Sequence, residues 1–291
     1  MKPSTTTALA ASLAAAAFAL PVQAHAQSDP SASSEVMQWD DDAEVGKFSF
    51  SLAVVAANYE VNLENSQVVL PESFDFGDFD VTLDEDVNFT SLFTGASVSY
   101  RVLPFLSLDA RAGYVSAESD FGVTVAGTPG DQFPGLIQGP IALTSEVSTN
   151  VEGVNAGIGA KVIVPVFSVG SKKVLMYGTY EHSWSEYDDD NFSANYGRVA
   201  SGFVFPFSLE DRLKPVFRLG ASYTNVERSF ERSFSLNGET ALVSADQGTD
   251  HPVSIEFGAI IPVSRKFYVS IGSSVQTTGN ASFLASLTFT P

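Results

Sequence analysis

The chain has 291 residues, 15 Lys+Arg against 34 Asp+Glu for a formal net charge of −19, and no cysteine. So acidic a balance argues against nucleic acid as a partner, because phosphate binding needs a basic face, and the missing cysteines exclude a disulfide scaffold. Twenty-two glycines, 23 phenylalanines and nine tyrosines suit strands better than helices.

The chain opens on Lys2, then the apolar run "ALAASLAAAAFAL" at 8–20, then "AHA" at 24–26. Positive start, short apolar core and small-x-small site are the parts of a secretory signal peptide, assigned to 1–26 with cleavage before Gln27. A membrane anchor would need a run of roughly 20 apolar residues, which no segment supplies. Loss of Lys2 leaves 14 basic against 34 acidic groups, 14 − 34 = −20. Residues 27–46, ending in "QWDDDAEVG", read as a flexible acidic tail, and 47–291 as one domain.

From Phe48 onward the pattern has period two. Phe48, Phe50, Leu52 and Val54 share a face against Ser49, Ser51 and Ala53. Leu106, Leu108, Ala110, Ala112 and Tyr114 stand against Ser107, Asp109, Arg111 and Gly113. Val154, Ala156, Ile158, Ala160 and Val162 stand against Asn155, Gly157, Gly159 and Lys161. The same holds for Ile255, Phe257 and Ala259 against Ser254, Glu256 and Gly258, and for Phe283, Ala285, Leu287 and Phe289 against Ser286 and Thr288. About ten strands follow, at 48–59, 91–102, 106–116, 152–164, 174–185, 195–205, 215–226, 252–261, 267–276 and 281–290; eight or twelve are the alternative counts. Pro104, Pro165, Pro206, Pro215 and Pro262 mark short turns, since proline donates no ladder hydrogen bond. The acidic stretches 60–88, 116–149, 186–194 and 227–251 read as long loops at the opposite end.

The polar face decides what kind of sheet this is. A soluble sandwich would show water a face rich in Lys, Glu and Thr. Here that face is glycine and serine with a sparse charge set: Arg101, Arg111, Lys161, Arg198 and Arg218 with Asp109, Glu181 and Glu256. Such residues suit a narrow interior. The apolar face carries aromatics near its ends, namely Tyr59, Tyr100, Tyr114, Tyr180, Trp184, Tyr196, Phe203, Phe205, Tyr223 and Phe267. Apolar-out, polar-in strands with aromatic girdles belong to all-β, antiparallel up-and-down barrels that span a membrane. Lipid forces closure, because it cannot satisfy an open sheet edge.

The signal, the alternation and the closing run "ASFLASLTFTP" resemble Gram-negative outer-membrane β-barrels. That resemblance implies an outer-membrane location, contact with outer-membrane lipid and lipopolysaccharide, insertion by the barrel-assembly machinery, and a monomer. Barrels of this kind usually end on an aromatic. Here Phe289 is followed by Thr290 and Pro291.

Two readings of the interior charges compete. They pair across strands and plug the lumen, giving a non-enzymatic structural or surface barrel. Alternatively they line a narrow porin-like channel, whose basic surplus would favour anions. The segment 59–89 holds nine carboxylates and no basic residue, a solvated acidic surface first and a divalent-cation site second. No residue set calls for a cofactor. Omptin proteases pair Asp-x-Asp with Asp-x-His. Asp78 and Asp80 fit the first half, but Asp250 and His251 are adjacent. Lipid A deacylases place His-x-Ser on one face, whereas His182 and Ser183 are neighbours. Adjacent strand residues face opposite ways, so neither hydrolase constellation forms by parity.

Overall fold

The computed structural model describes residues 45–71, 77–83, 86–129, 141–170, 172–188, 192–207, 215–236, 238–249, 252–264, 266–276 and 280–291. The proposed signal peptide and nearly all of the acidic tail lie outside the described residues. Twelve strands form one sheet: β1 (Phe48–Val69), β2 (Gly77–Leu83), β3 (Asp86–Leu103), β4 (Leu106–Pro129), β5 (Ile141–Val169), β6 (Lys172–Tyr187), β7 (Phe192–Pro206), β8 (Val216–Leu236), β9 (Glu239–Thr249), β10 (Val253–Pro262), β11 (Phe267–Gln276) and β12 (Ala281–Phe289).

Ten of them close a ring in the order β1-β3-β4-β5-β6-β7-β8-β10-β11-β12, with β12 returning to β1 from Phe50↔Phe289 to Ala57↔Ser282. Every pairing is antiparallel. The tight turns, including Pro104, and both ends of the ring (Phe48 and Phe289) gather at one end, the lower end.

The ring changes count along its length. β1 gives its lower half to β12 and its upper half, Val61–Val69, to β9. β8 likewise pairs β10 through Val216–Tyr223 and β9 through Glu227–Leu236. The hairpin of β11 and β12 is short, so above it β9 alone bridges β8 and β1. At the level of Val61, Val87 and Phe192 eight strands surround the interior, β1, β3, β4, β5, β6, β7, β8 and β9; beyond it β3, β6 and β7 have ended, and β1, β2, β4, β5, β8 and β9 continue. Fewer strands make a narrower cylinder.

The hydrophobic face changes with it. Along β4 the outward residues run Leu108, Ala110, Ala112, Tyr114 and then Ser116, Glu118, Asp120; the inward ones run Ser107, Asp109, Arg111, Gly113 and then Val115, Ala117, Ser119, Phe121, Val123, Val125. β8 repeats the switch. Its outward Phe217, Leu219 and Tyr223 give way to Glu227, Ser229 and Glu231, and its inward Arg218, Ser222 and Thr224 to Phe230, Phe234 and Leu236. The lower half faces lipid and the upper half faces water, so the same parity carries opposite chemistry.

Three expectations need correction. The stretches read as long outer loops are mostly strand: β1 runs to Val69, β4 to Pro129, β5 starts at Ile141, and β8 and β9 fill 227–249. Their acidity belongs to one face of a water-exposed sheet. Pro165 lies inside β5, at a register shift between Pro165 and Phe167, and the turn comes at Gly170. The ladder of β5 with β4 ends at Val162, so the donor that proline lacks would have met no partner on that side. Tyr196 is not part of the outer aromatic belt; on β7 it shares the inward parity of Arg198 and Ala200 and stacks under Arg111. Tyr100, Tyr114, Tyr180, Trp184, Phe203, Tyr223 and Phe267 are exposed on the outside, whereas the Tyr59 side chain lies outside the described residues.

Candidate functional site in the barrel interior

Antiparallel register sets the interior out in rows. At the mouth nearest the tight turns Arg101, Ser107, Lys161 and Thr179 are consecutive partners across β3 to β6. The next row inward holds Ser99, Asp109, Gly159, Glu181, Arg198 and Thr224, and the one after it Ser97, Arg111, Gly157, Ser183 and Tyr196.

Long side chains then cross between rows. Glu181 lies 3.5 Å from Arg111 on one side and 3.5 Å from Arg198 on the other. Arg198 also pairs with Glu256 of β10, a side chain 2% exposed. The Tyr177 hydroxyl donates to Glu256 at 3.4 Å, and the Arg218 guanidinium sits 5.6 Å from the Tyr177 ring centre. A continuous chain of contacts thus runs from β4 to β8 and β10. Arg111 adds a bond to Ser183 Oγ at 2.9 Å and stacks on Phe93 and Tyr196 at 5.5 and 5.6 Å. Asp109, in the row of Glu181, and Arg101 and Lys161, one row below, share the inward face and make none of these contacts. Five cations against three carboxylates give this set +2.

Glycine makes the crossings possible. A Cβ on Gly220 would stand 2.3 Å from the Tyr177 hydroxyl, and one on Gly157 would stand 3.1 Å from Arg111 Nε. The glycine-rich polar face of the sequence is the bed on which the long side chains lie.

Above this network the interior is apolar. Val61, Val87, Phe89, Val115, Phe121, Val123, Val125, Val147, Val151, Phe192, Phe230, Phe234, Leu236 and Val243 are buried together. Phe230 is the hub, with ring centres 5.4 Å from Phe121 and 6.5 Å from Phe192. The polar groups among them are paired where two hydroxyls meet, as Ser119 with Thr149 at 2.6 Å.

Between core and network lies Arg228, 3% exposed, which the sequence reading missed. Its guanidinium carbon is 3.4 Å from the Phe89 ring centre and 4.7 Å from that of Phe192. A guanidinium stays a cation at neutral pH, and the Tyr187 hydroxyl lies beside this one. Its signal was present as the alternation Val226, Arg228, Phe230 against Glu227, Ser229, Glu231, hidden inside a stretch read as loop.

The outside of the upper half is acidic. Glu118, Asp120, Glu146, Glu152, Glu227 and Glu231 share its water-facing side. Asp246 accepts from Asn65 at 3.0 Å and Ser229 at 2.8 Å, bonds that hold its carboxyl below the usual range. Among the described residues no group of three or more His, Asp or Glu could hold a metal ion. The Asp78 side chain and residues 84–85, 189–191 and 250–251, which include much of the acidic-loop and omptin-like pattern, lie outside the described residues. Ser183 faces in, 1% exposed, while His182 is on the outward face beside Trp184, 6.1 Å between ring centres.

No family model matches the chain, and no curated protein matches it. Among solved structures it is similar to the outer membrane protein OprG of Pseudomonas aeruginosa, at 11% identity and a TM-score of 0.38 over 85% of this chain and 97% of that one. It is also similar to the beta domain of the Bordetella autotransporter BrkA, at 10% identity and TM-score 0.38, over 84% and 100%. The Ralstonia pickettii toluene transporter TbuX gives 10% and 0.31, over 85% and 90%. The closed ring of ten antiparallel strands, with its outward apolar belt and aromatic rims, gives this chain the fold of a membrane-spanning β-barrel.

Proposed function

We propose that this barrel is closed rather than conducting, and that its role is carried by its water-facing outer surface. The observation that supports the reading best is the apolar core inside the outer half. A solute channel needs a wetted path, and a column of Val, Phe and Leu side chains in contact leaves none. The Arg111–Glu181–Arg198–Glu256 network is a second barrier below it. The outer wall would meet lipopolysaccharide and divalent cations with its carboxylates, and would offer them to a partner at the cell surface. The reading is non-enzymatic, since His182 and Ser183 face opposite sides of the sheet.

Planar-bilayer recordings of the refolded protein test it. The expected result is a quiet membrane; steady unitary currents of the size a water-filled lumen carries would overturn the reading. The alternative, a narrow anion-preferring channel, draws on the +2 surplus in the lower lumen and requires the outer core to open. In that case currents should grow when Phe230, the hub of the core, is cut to alanine, and wild-type currents should reverse at an anion-selective potential in a salt gradient.

A further inference from the structure

Among the described residues Arg228 is a buried cation without a counter-ion. Among the described residues no carboxylate lies within ion-pairing distance of it, and its side chain is sealed between the outer core and the lower network. Its Nη1 donates to Gln247 Oε1 at 3.0 Å, and two aromatic rings cover the guanidinium. The Tyr187 hydroxyl lies beside the guanidinium, but Nε and Nη2 are buried with no acceptor in hydrogen-bond geometry among the described residues. These two donors are not a random pair. They point the same way along one edge of the planar guanidinium, the edge that grips two oxygens of a carboxylate or phosphate side by side. Gln247, directly opposite Arg228 in the β8–β9 register and 2% exposed, holds the other side of the guanidinium and fixes which edge stays free. On the other flank the register partner is Ala194, whose methyl fills little space.

An isolated charge with unsatisfied donors is among the most expensive things to bury, and proteins pair such groups with an opposite charge. Aromatic faces stabilise the guanidinium plane from above and below but cannot accept its in-plane hydrogens. We infer that the Nε/Nη2 edge of Arg228 forms an interior site for a small oxyanion, a carboxylate or a phosphate, held side-on, while Gln247 on the opposite side fixes the guanidinium through Nη1. The ligand is small because the walls above it are the packed side chains of the outer core. It enters as the barrel folds or through the lower lumen, whose surplus of cations draws anions inward. The site is independent of whether the barrel conducts.

The test is urea unfolding of the detergent-refolded wild type, titrated with sodium phosphate or sodium acetate against sodium chloride at matched ionic strength. A ligand of the folded state alone, at about ten times its Kd, raises the folded-to-unfolded ratio about elevenfold. The expected result is a saturating gain with at least one oxyanion over chloride, and whichever anion acts identifies the source. Arg228→Met keeps the length and removes the charge, so it should fold in chloride at least as well as the wild type and lose the oxyanion response. A wild type that responds to all three salts alike, or a variant that keeps the wild-type response, would overturn the site. Should the variant fail to fold, the wild-type titration decides alone: a saturating curve supports the site and a linear one refutes it.

Discussion

The two halves of this barrel are built from the same strands with the same parity, yet they are inside out relative to each other. In the lower half of β4 Leu108 is exposed and Asp109 and Arg111 point in; in the upper half Phe121 and Val123 are buried and Asp120 points out. The backbone does not distinguish the halves. The surroundings do, because lipid accepts Leu108 at no cost while water rejects Phe121. A second difference follows from topology. Ten strands leave room inside for paired arginines and glutamates laid on glycine, whereas eight strands, and then fewer, leave an interior that valine and phenylalanine fill.

The largest expected effects probe each interior in its own terms. Glu256→Ala removes the buried partner of Arg198, leaves it with Glu181 alone and deprives Tyr177 of its acceptor, which should cost up to about 3–5 kcal/mol, read as a lower urea midpoint in refolding. Phe230→Ala opens a cavity at the hub of the outer core, about 3–5 kcal/mol. The signature separates them: protease nicking between β8 and β9 should appear first in the Phe230 variant, while the membrane-embedded half stays protected. Equal exposure of both halves would erase the distinction.

The outer face gives a sharper contrast at intermediate size. Leu108→Arg places a charge in the lipid belt and should cost about 2–4 kcal/mol. Ser116→Arg, on the same strand and the same face four alternations higher, should stay within about 0.5 kcal/mol. Equal penalties would mean that the lipid boundary lies above Ser116.

The smallest effect is one of pH. Asp246 has a depressed folded pKa, so its bonds from Asn65 and Ser229 stabilise the fold above the unfolded carboxyl pKa of about 3.9. That contribution is lost as pH falls through the lower folded value. Unfolding midpoints measured from pH 5 downward should fall less steeply in Asp246→Asn than in the wild type. Identical slopes would show that the pair of hydrogen bonds contributes nothing.

The lower half was legible residue by residue. Apolar positions such as Ile158 and Leu108, the aromatic rims and the ring of ten followed from period two plus the rule that lipid tolerates no free edge. The upper half was not. There the outward face is Glu, Asp, Ser and Thr, so a strand reading of acidic sequence competes with a loop reading, and composition favoured the loop. Tyr196 was misplaced for a related reason: a lone tyrosine near a strand end fits either a lipid rim or a stacking partner for arginine, and only its parity with Arg198 separates the two.

The sequence by itself determined that this chain alternates, that its charges of both signs sit among glycines, and that it closes as an antiparallel barrel. Those are consequences of side-chain period and backbone hydrogen bonding, which act between neighbours in the chain. Tertiary structure alone decided where the ring drops from ten strands to eight, and with it which inward residues form an ion network and which a dry core. That choice rests on which strand β1 and β8 pair with above Ala57 and Tyr223. Pairing between segments some 180 residues apart leaves no local trace, because either partner satisfies the same donors and acceptors.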